Sequence, residues 1–291
     1  MFLSDHDRRA LYRNANKILH NLYEYCLANR LVINYEKCCF IEFNKGEEDD
    51  PLILGIMNNV FLPVEQCKFL GVKINSKLDW KNQIENVINQ VSKACGTIYS
   101  VRRHVPQKIL RTIYMAIVQP YLIYCIPLWG SSLTSEMINK LFILQKKCVR
   151  LVSNKTERIN YALPHTKPLF SKLQIMTVFN LYTYMTACES MKIYKFEIPK
   201  TLFEFYEFSK ISDRFIPPSF NLTTIKTKSF IFNSTKILNL LLKHDIKYSE
   251  LSVANFKLRL KKHLLHIQSK SVHGDESWLP CNHNLFSEVT V

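Results

Sequence analysis

The sequence has little glycine: six glycines occur in 291 residues. Turn-rich β-proteins use glycine where the backbone needs a positive φ, so this scarcity disfavours an all-β fold and favours helices. Hydrophobic residues make up 47% of the chain and charged residues 22%, a composition that excludes general disorder. The sequence also lacks internal repeats and low-complexity tracts. The composition therefore predicts a globular and largely helical protein.

A long apolar run is also missing. The longest apolar stretch, residues 117–129, is interrupted by Gln119, Pro120 and Pro127, and it is too short to cross a bilayer. The first residues, Met-Phe-Leu-Ser-Asp, lack the basic and apolar regions of a secretory signal peptide. We therefore expect an intracellular protein, cytoplasmic or nuclear, with no membrane partner.

Paired cysteines are lacking as well. The nine cysteines are odd in number and scattered, and none forms a Cys-x-x-Cys motif. This pattern is typical of reduced thiols, and we expect most of them to be buried as small hydrophobic residues. Cys281 and His283, with His273 nearby, resemble a degenerate metal site. Ligand number and spacing do not fit zinc, so we interpret this segment as a polar tail.

Acidic residues are few relative to basic ones. Twenty-four Asp and Glu stand against 39 Lys and Arg, which gives a net charge of +15. This excess favours a polyanionic partner, with nucleic acid ahead of an acidic membrane surface. Residues 80–170 hold thirteen Lys or Arg and three Asp or Glu, so +10 of the charge lies there.

Hydrophobic spacing divides the chain into an α+β beginning and an all-α remainder. A capping box at Ser4 and Asp7 predicts the start of a first helix. Short apolar runs over 31–75 predict a small antiparallel sheet packed on that helix. Helical spacing then predicts helices that begin at about Trp80, Pro106 and Ser135, and others over 169–191, 229–243 and 252–268. The lack of periodicity over residues 194–228 predicts a loop or an extended strap.

Three stretches form an ordered set of motifs. Residues 31–38 read Leu-Val-Ile-Asn-Tyr-Glu-Lys-Cys, and residues 69–75 read Phe-Leu-Gly-Val-Lys-Ile-Asn, followed by Leu-x-Trp at 78–80. Residues 114–150 contain, in order, Tyr, Pro-Tyr, Trp-Gly, Leu-Gln-Lys-Lys and Arg. Together these motifs resemble the reverse transcriptases of jockey-type non-LTR retrotransposons, which are RNA-directed DNA polymerases. The resemblance extends over about residues 2–265.

The resemblance implies the C-terminal palm and thumb portion of such an enzyme. It assigns an incomplete distal palm to residues 1–79, a helical thumb to 80–165, a C-terminal helical region to 166–268 and a tail to 269–291. The implied fold class is α+β, mostly α. A small antiparallel sheet and a helix are followed by an all-α thumb and C-terminal helices.

The catalytic carboxylates of the family have no counterpart here. In the family, an early Asp and a Tyr/Phe-x-Asp-Asp hairpin hold two metal ions, and no such tetrapeptide occurs in this sequence. The family's Asp pair precedes the segment that resembles Phe2-Leu3-Ser4, so we expect the chain to begin just after it. We interpret the only adjacent Asp pair, Asp49-Asp50, as part of a solvated acidic turn. We therefore expect no metal or cofactor in this chain, with Mg²⁺ confined to the intact parent enzyme, and no polymerase activity.

The resemblance also assigns accessory roles in the first part of the chain. Lys37 matches a lysine near the nucleotide phosphates that could protonate the leaving pyrophosphate, and Asn34 is expected to brace its turn. The alternative for Lys37 is an exposed lysine at a strand edge. Phe69, Leu70 and Gly71 match the primer grip, where a glycine eases backbone approach to a phosphate. The alternative is a core strand that ends in a turn, and we expect Phe69 and Leu70 in the core in either case.

The thumb match contains the cationic candidates. The predicted nucleic-acid-binding residues there are Arg102, Arg103, Lys146, Lys147 and Arg150. The last three fall on adjacent helical turns, so one side of the helix can face the phosphates of an RNA–DNA or DNA template–primer duplex. The alternative is an ordinary solvated cationic face. For the chain as a whole, the alternative is a non-enzymatic nucleic-acid-binding or helical protein-interaction module.

Overall fold

The computed structural model describes residues 3–43, 53–153, 165–196, 199–209, 214–219, 229–244 and 251–270. Helices dominate these residues, with three two-stranded antiparallel sheets, so the coarse fold class α+β, mostly α, is confirmed. The chain divides into two compact units, unit 1 over residues 1–83 and unit 2 over residues 84–291. The assignment of a palm, a thumb and a C-terminal region stays a prediction.

Unit 1 packs helix α1 (Arg8–Ala28) against a hairpin of strands β1 (Leu54–Ile56) and β2 (Asn59–Phe61). The small core contains Tyr12, Ala15 and Leu54, with Leu19, Phe40 and Phe61 packed against it. The helix begins after Asp7, whose carboxylate accepts a hydrogen bond from the Arg9 N–H at 2.9 Å. The N-cap is therefore Asp7, and the capping box predicted at Ser4 is wrong.

The Asn16 side chain joins α1 to this hairpin. Its amide donates to the Ile53 carbonyl at 3.2 Å, and its Oδ1 accepts from the Gly55 N–H at 2.9 Å. A carboxamide carries one donor and one acceptor side by side, as a peptide group does. It can therefore pair at once with the carbonyl of one residue and the N–H of the residue two positions later. The Asn16 amide thereby fixes the edge of β1 on the helix.

A second hairpin follows, made of β3 (Gln66–Phe69) and β4 (Val72–Asn75). The single sheet predicted over 31–75 is wrong, because β1–β2 and β3–β4 are separate sheets. The strands predicted at 31–33 and 38–43 are also wrong. Residues 35–37 form a 3-10 turn that the Asn34 side chain caps, and only an isolated bridge joins Phe40 to Pro63. The capped turn takes the chain out of an extended conformation.

Helix α2 (Lys81–Val101) leads into unit 2. The further helices are α3 (Gln107–Ile117), α4 (Gln119–Ile123), α5 (Ile126–Trp129), α6 (Ser135–Val152), α7 (Lys167–Leu173), α8 (Val178–Phe196), α9 (Lys200–Phe203), α10 (Phe230–Lys243) and α11 (Val253–Lys270). Strands β5 (Glu207–Ser209) and β6 (Arg214–Ile216) form a hairpin. The helices predicted near 80, 135, 229 and 252 are confirmed. Pro106 is the N-cap of α3 and not its first helical residue.

Helix α8 is the central element of unit 2. Twelve of its nineteen residues are buried, so it is covered on all sides, as expected for a core helix. It packs against α4, α5, α10 and α11. Gly130, just after α5, lies so close to α8 that an added Cβ would collide with the Tyr182 ring. The Trp129-Gly130 pair of the third sequence motif thus lies at a contact between α5 and α8.

Two predictions in this region are wrong. The single helix predicted over 169–191 is divided into α7 and α8, because Gln174 adopts φ 52° and residues 175–177 are not helical. The strap predicted over 194–228 includes the end of α8, helix α9 and the β5–β6 hairpin within its described residues. The Asn239 side chain on α10 holds that hairpin, since it accepts from the Phe215 N–H at 2.7 Å and donates to the Phe215 carbonyl at 2.8 Å.

Among the described helices, none is both long and apolar enough by itself to cross a membrane. One bent pair, 107–123 with 126–132, meets the criteria of length and composition across a 43° bend.

Candidate nucleic-acid interface

Arg102 and Arg103 lie at the C-terminal end of α2. The Arg102 guanidinium lies 4.5 Å from the centre of the Tyr99 ring, and it is half-buried, whereas Arg103 is exposed. Cations at this end of a helix interact favourably with its partial negative charge, so the two arginines stabilise the helix irrespective of any ligand. Stacking on Tyr99 also limits the conformations of Arg102, so a pre-positioned cation lies beside an exposed one.

The three cations predicted on α6 lie in different environments. Lys146 is half-buried, with its ammonium 4.1 Å from the centre of the Phe142 ring. Arg150 is four residues further along and also half-buried, and burial lowers its pKa. Lys147 is exposed. Lys146 and Arg150 therefore share one side of the helix close to the protein body, and Lys147 projects from the exposed side.

An aromatic cluster fixes the position of Lys146. Phe142 packs edge-on against Phe179 of α8, with ring centres 5.1 Å apart, and against Phe170 of α7 at 6.1 Å. The aliphatic part of a lysine side chain packs well over such a surface while its ammonium stays near water. The cluster thus orders Lys146, and part of that cation's role is structural.

The exposed side of α6 includes Glu136, Lys140, Ile143 and Lys147. Glu136 and Lys140 form an ion pair at 2.6 Å, and the neighbouring ammonium lowers the pKa of the Glu136 carboxyl. The charge of Lys140 is therefore balanced within the helix. Lys147 is the remaining cation on this side.

Two further cations on α3 have contrasting roles. Arg111 donates from Nε to the Leu173 carbonyl at 2.6 Å, so it satisfies a backbone carbonyl that has no partner within α7, at the C-terminal end of that helix. Lys108 is exposed. Within the described part of the chain, no ion pair involves Arg103, Lys108 or Lys147. These three side chains are exposed cations of unit 2 that can meet a solvent-borne anion.

The residue that sequence reasoning missed is Gln145. It is fully buried on α6, and its amide donates to the Tyr114 hydroxyl and to the Met176 carbonyl, both at 3.0 Å. Its Oε1 accepts from the Val178 N–H at 2.8 Å. A polar residue at an apolar position of the helical period was the available signal. Gln145 ties α6, and hence the cations on it, to α3 and to the start of α8.

In unit 1, Lys37 is exposed at the end of the 3-10 turn. Its N–H donates to Asn34 Oδ1 at 3.2 Å, so the predicted bracing role of Asn34 is confirmed. Phe69 and Leu70 are 45% and 76% exposed, and the prediction that both lie in the core is wrong. Leu70 and Gly71 form a tight turn between β3 and β4, directly after the last strand pair, Phe69 and Val72.

The cysteines are less buried than the sequence predicted. Of the eight in the described residues, only Cys95, Cys148 and Cys188 are buried, so the prediction that most are buried is wrong. All eight are free thiols.

The described residues do not fit a two-metal centre. Among them, no group of three or more His, Cys, Asp or Glu side chains is arranged to hold a metal ion. The Asp49-Asp50 pair and the Cys281–His283 segment, with His273, lie outside the described residues. The role of Mg²⁺ stays a prediction about the parent enzyme.

Comparison of the chain with protein-family models, curated proteins and solved structures gives no match. The resemblance to reverse transcriptases consequently rests on the ordered motifs alone and stays a prediction.

Proposed function

We propose that unit 2 binds the phosphate backbone of a nucleic-acid duplex. We further propose that the chain is a fragment of an RNA-directed DNA polymerase from a non-LTR retrotransposon. In this proposal the fragment retains the parts that grip the template–primer and lacks the catalytic aspartates. The observation that carries the proposal is the exposure of Arg103, Lys108 and Lys147, without ion pairs in the described residues, in a segment of net charge +10.

The physical basis is the release of counterions. Each phosphate that a lysine or arginine neutralises releases condensed cations, so affinity falls as the salt concentration rises. Arg102 and Lys146 add a second component, because their aromatic contacts already restrict them and less side-chain entropy is lost on binding. Phosphate contacts carry no base information, so the proposed binding is independent of sequence.

The direct test is the binding of a fluorescently labelled RNA–DNA hybrid across a salt series. Arg103, Lys108 and Lys147 are replaced together by Ala, and Lys140→Ala is the matched control. Lys140 is an exposed cation of α6 that Glu136 already balances. Each phosphate contact contributes about 0.9 to the log–log salt slope on B-form DNA. With three contacts removed, we expect the slope of the triple variant to become shallower by about 2 to 3 units. The slope of the control should stay close to that of the unmodified chain.

Circular dichroism and a second hybrid of unrelated sequence complete the test. Lys108 and Lys147 occupy exposed helix positions and Arg103 an exposed turn position after α2, and such positions tolerate Ala well, so the helical signal should be unchanged. The affinity for both hybrids should fall equally. An unchanged slope with an intact helical signal would contradict phosphate binding by these residues.

The fragment part of the proposal has its own measurement, which is primer extension by the purified chain with Mg²⁺ or Mn²⁺. No extension is expected, because the family's carboxylate motif is missing from the sequence. Extension that persists through repurification would contradict the proposed loss of catalysis.

The second candidate function is a protein-interaction module. Exposed apolar side chains in unit 1 favour it: Val32 is 95% exposed and Leu70 76%. Large exposed apolar groups often mark surfaces that contact another protein. Under this alternative, the chain binds the hybrid no more tightly than a neutral control protein does, and its affinity for the hybrid does not change with salt concentration.

A further inference from the structure

Tyr99, on the last turn of α2, is an exposed aromatic residue beside the cations of unit 2. The Arg102 guanidinium lies 4.5 Å from the centre of its ring and covers one face. Tyr99 nevertheless keeps 58% of its surface exposed, so the part of the ring that Arg102 does not cover is open to solvent. A single exposed tyrosine is ordinary on a protein surface, and its surroundings decide whether it binds a ligand.

The helix surface next to Tyr99 is empty because position 96 is a glycine. Residues three apart are neighbours on a helix, and a helical side chain leans toward the N-terminus, so the Tyr99 side chain borders position 96. A Cβ added at Gly96 would meet no atom of the described residues within 4 Å. Glycine within a helix is unfavourable relative to alanine, and this one has an ordinary helical backbone. Neither packing nor backbone conformation therefore accounts for the glycine, which leaves an open slot beside the ring.

The other side of Tyr99 is cationic. The chain turns at residues 102–104 and enters α3 at Gln107, so Arg103 and Lys108 lie on the same corner, and both are exposed. No Asp or Glu occurs between Glu85 and Glu136. An anion that approaches this corner thus meets three cations and no carboxylate from this stretch of the chain.

We infer that Tyr99 and the slot over Gly96 bind an unpaired base, which stacks on the ring while its adjoining phosphates lie at Arg102 and Arg103. The inference rests on the proposed function and names the ligand more closely, as a nucleic-acid duplex that carries an unpaired nucleotide. Every base has a π-face, so stacking on an aromatic side chain is tolerant of sequence. The site therefore adds affinity without adding base specificity.

The combination of ring, slot and cations favours a nucleotide over an apolar protein side chain. A protein side chain could fill the slot, but it would leave Arg102, Arg103 and Lys108 without partners. A nucleotide supplies a flat base for the ring and phosphates for the cations from one chemical unit. Stacking of Arg102 on Tyr99 already holds a guanidinium next to the position of the base.

The test compares three labelled RNA–DNA hybrids on the full chain. One is blunt, one carries short unpaired extensions at every strand end, and one carries the same extensions with abasic residues. The abasic extensions keep the phosphates, so the ratio of the last two affinities isolates the contribution of the bases. We expect the extensions with bases to bind roughly five-fold more tightly than the abasic ones, or better, from the usual strength of base–aromatic stacking. The salt slopes of these two hybrids should be equal, because their phosphates are the same.

Four variants locate the base. Tyr99→Leu should abolish the preference for bases, and Tyr99→Phe should keep it, since stacking needs the ring and not the hydroxyl. Tyr121→Leu, which removes an exposed tyrosine of α4, is the matched control and should keep the preference. Gly96→Gln fills the slot and should weaken the preference. Gln forms helices better than Gly, so circular dichroism should show an intact or stronger helical signal in that variant.

The outcomes separate this inference from the proposed function. Salt-dependent binding with equal affinities for base-containing and abasic extensions would overturn the inference and leave phosphate binding in place. Hybrids that all bind without salt dependence would overturn both. A preference that survives Tyr99→Leu or Gly96→Gln, or that is lost in Tyr121→Leu, would place the base elsewhere and contradict the proposed site.

Discussion

Gln145 and Gln268 both hydrogen-bond to the short segment between α7 and α8, and each binds different backbone groups of it. Gln145 pairs with the carbonyl of Met176 and the N–H of Val178 at 3.0 and 2.8 Å. Gln268 pairs with the carbonyl of Ile175 and the N–H of Thr177 at 2.9 and 3.1 Å. Each carboxamide thus imitates a neighbouring β-strand, and alternate residues bond to alternate glutamines. Both glutamines are almost completely buried.

Replacing Gln145 by Leu should destabilise unit 2 by roughly 3 kcal/mol or more. The change leaves a buried carbonyl, a buried N–H and the Tyr114 hydroxyl without this partner, and each unsatisfied buried group costs about 1–3 kcal/mol. Urea denaturation measures the effect, with Asn139→Leu, at an exposed position of the same helix, as the control. A loss below about 1 kcal/mol would show that water replaces the lost bonds.

The two adjacent lysines of α6 should respond differently to Ala. Lys146→Ala removes the contact with the Phe142 ring and should lower the free energy of unfolding by about 1 kcal/mol. Lys147→Ala, at an exposed position, should change it by less than about 0.5 kcal/mol. Denaturant titration of both variants checks this difference. Lys146→Met keeps the aliphatic packing without the charge, so a loss equal to that of Lys146→Ala would assign the effect to the cation.

The turn between β3 and β4 is open to improvement. Leu70 has φ 47° and Gly71 φ 87°, and a left-handed conformation costs a branched side chain more than Asn. Leu70→Asn creates the Asn-Gly pair that such two-residue turns prefer, and it should stabilise the hairpin by about 1 kcal/mol. Hydrogen exchange of the amides in residues 66–75 is the measurement. Leu70→Ala keeps the unfavourable φ, and an equal gain in that variant would refer the effect to the loss of the apolar side chain.

Acid should weaken unit 2 through His263. Burial lowers the pKa of His263, and the neighbouring charges of His244, His266 and Arg259 lower it further. The unfolded chain, with a His pKa of about 6.5, therefore takes up a proton at a higher pH than the folded protein does. The contribution of His263 to stability is complete above about pH 6.5 and declines as the pH falls toward the lowered folded value. His263→Gln should flatten the decline in melting temperature between about pH 7 and 5, whereas His104→Gln, at an exposed position, should not. Identical pH profiles for the two variants would contradict this assignment.

The helical part of the fold was largely predictable because its signal is local. Helix α6 repeats apolar residues at helical spacing, and α10 and α11 do the same, so their existence follows from short windows of sequence. The break at Gln174 was not predictable in this way. The hydrogen bonds that satisfy residues 175–178 come from Gln145 and Gln268, and Gln268 lies 93 residues from Ile175. A window that spans one helix cannot include such partners.

In the candidate interface, too, the features set by local sequence were predictable and those set by distant residues were not. Residue type and spacing located the cations of α6, but they could not distinguish Lys146 from its neighbour Lys147. The difference arises because Phe142 meets Phe170 and Phe179, which come from two later helices. The prediction of one sheet for the short strands of unit 1 was wrong for a related reason. A three-residue strand such as β1 carries little periodicity, and its place is set by the Asn16 amide on α1.

The contact between Gly130 and Tyr182 limits which residues related copies of this gene can carry at the two positions. A Cβ at position 130 has no room while Tyr182 keeps its ring there. Copies that still encode a folded protein should therefore retain glycine at 130, or combine a larger residue there with a smaller one at 182. Copies released from selection should change the two positions independently. The joint distribution of residues at 130 and 182 would thus separate maintained lineages from decaying ones.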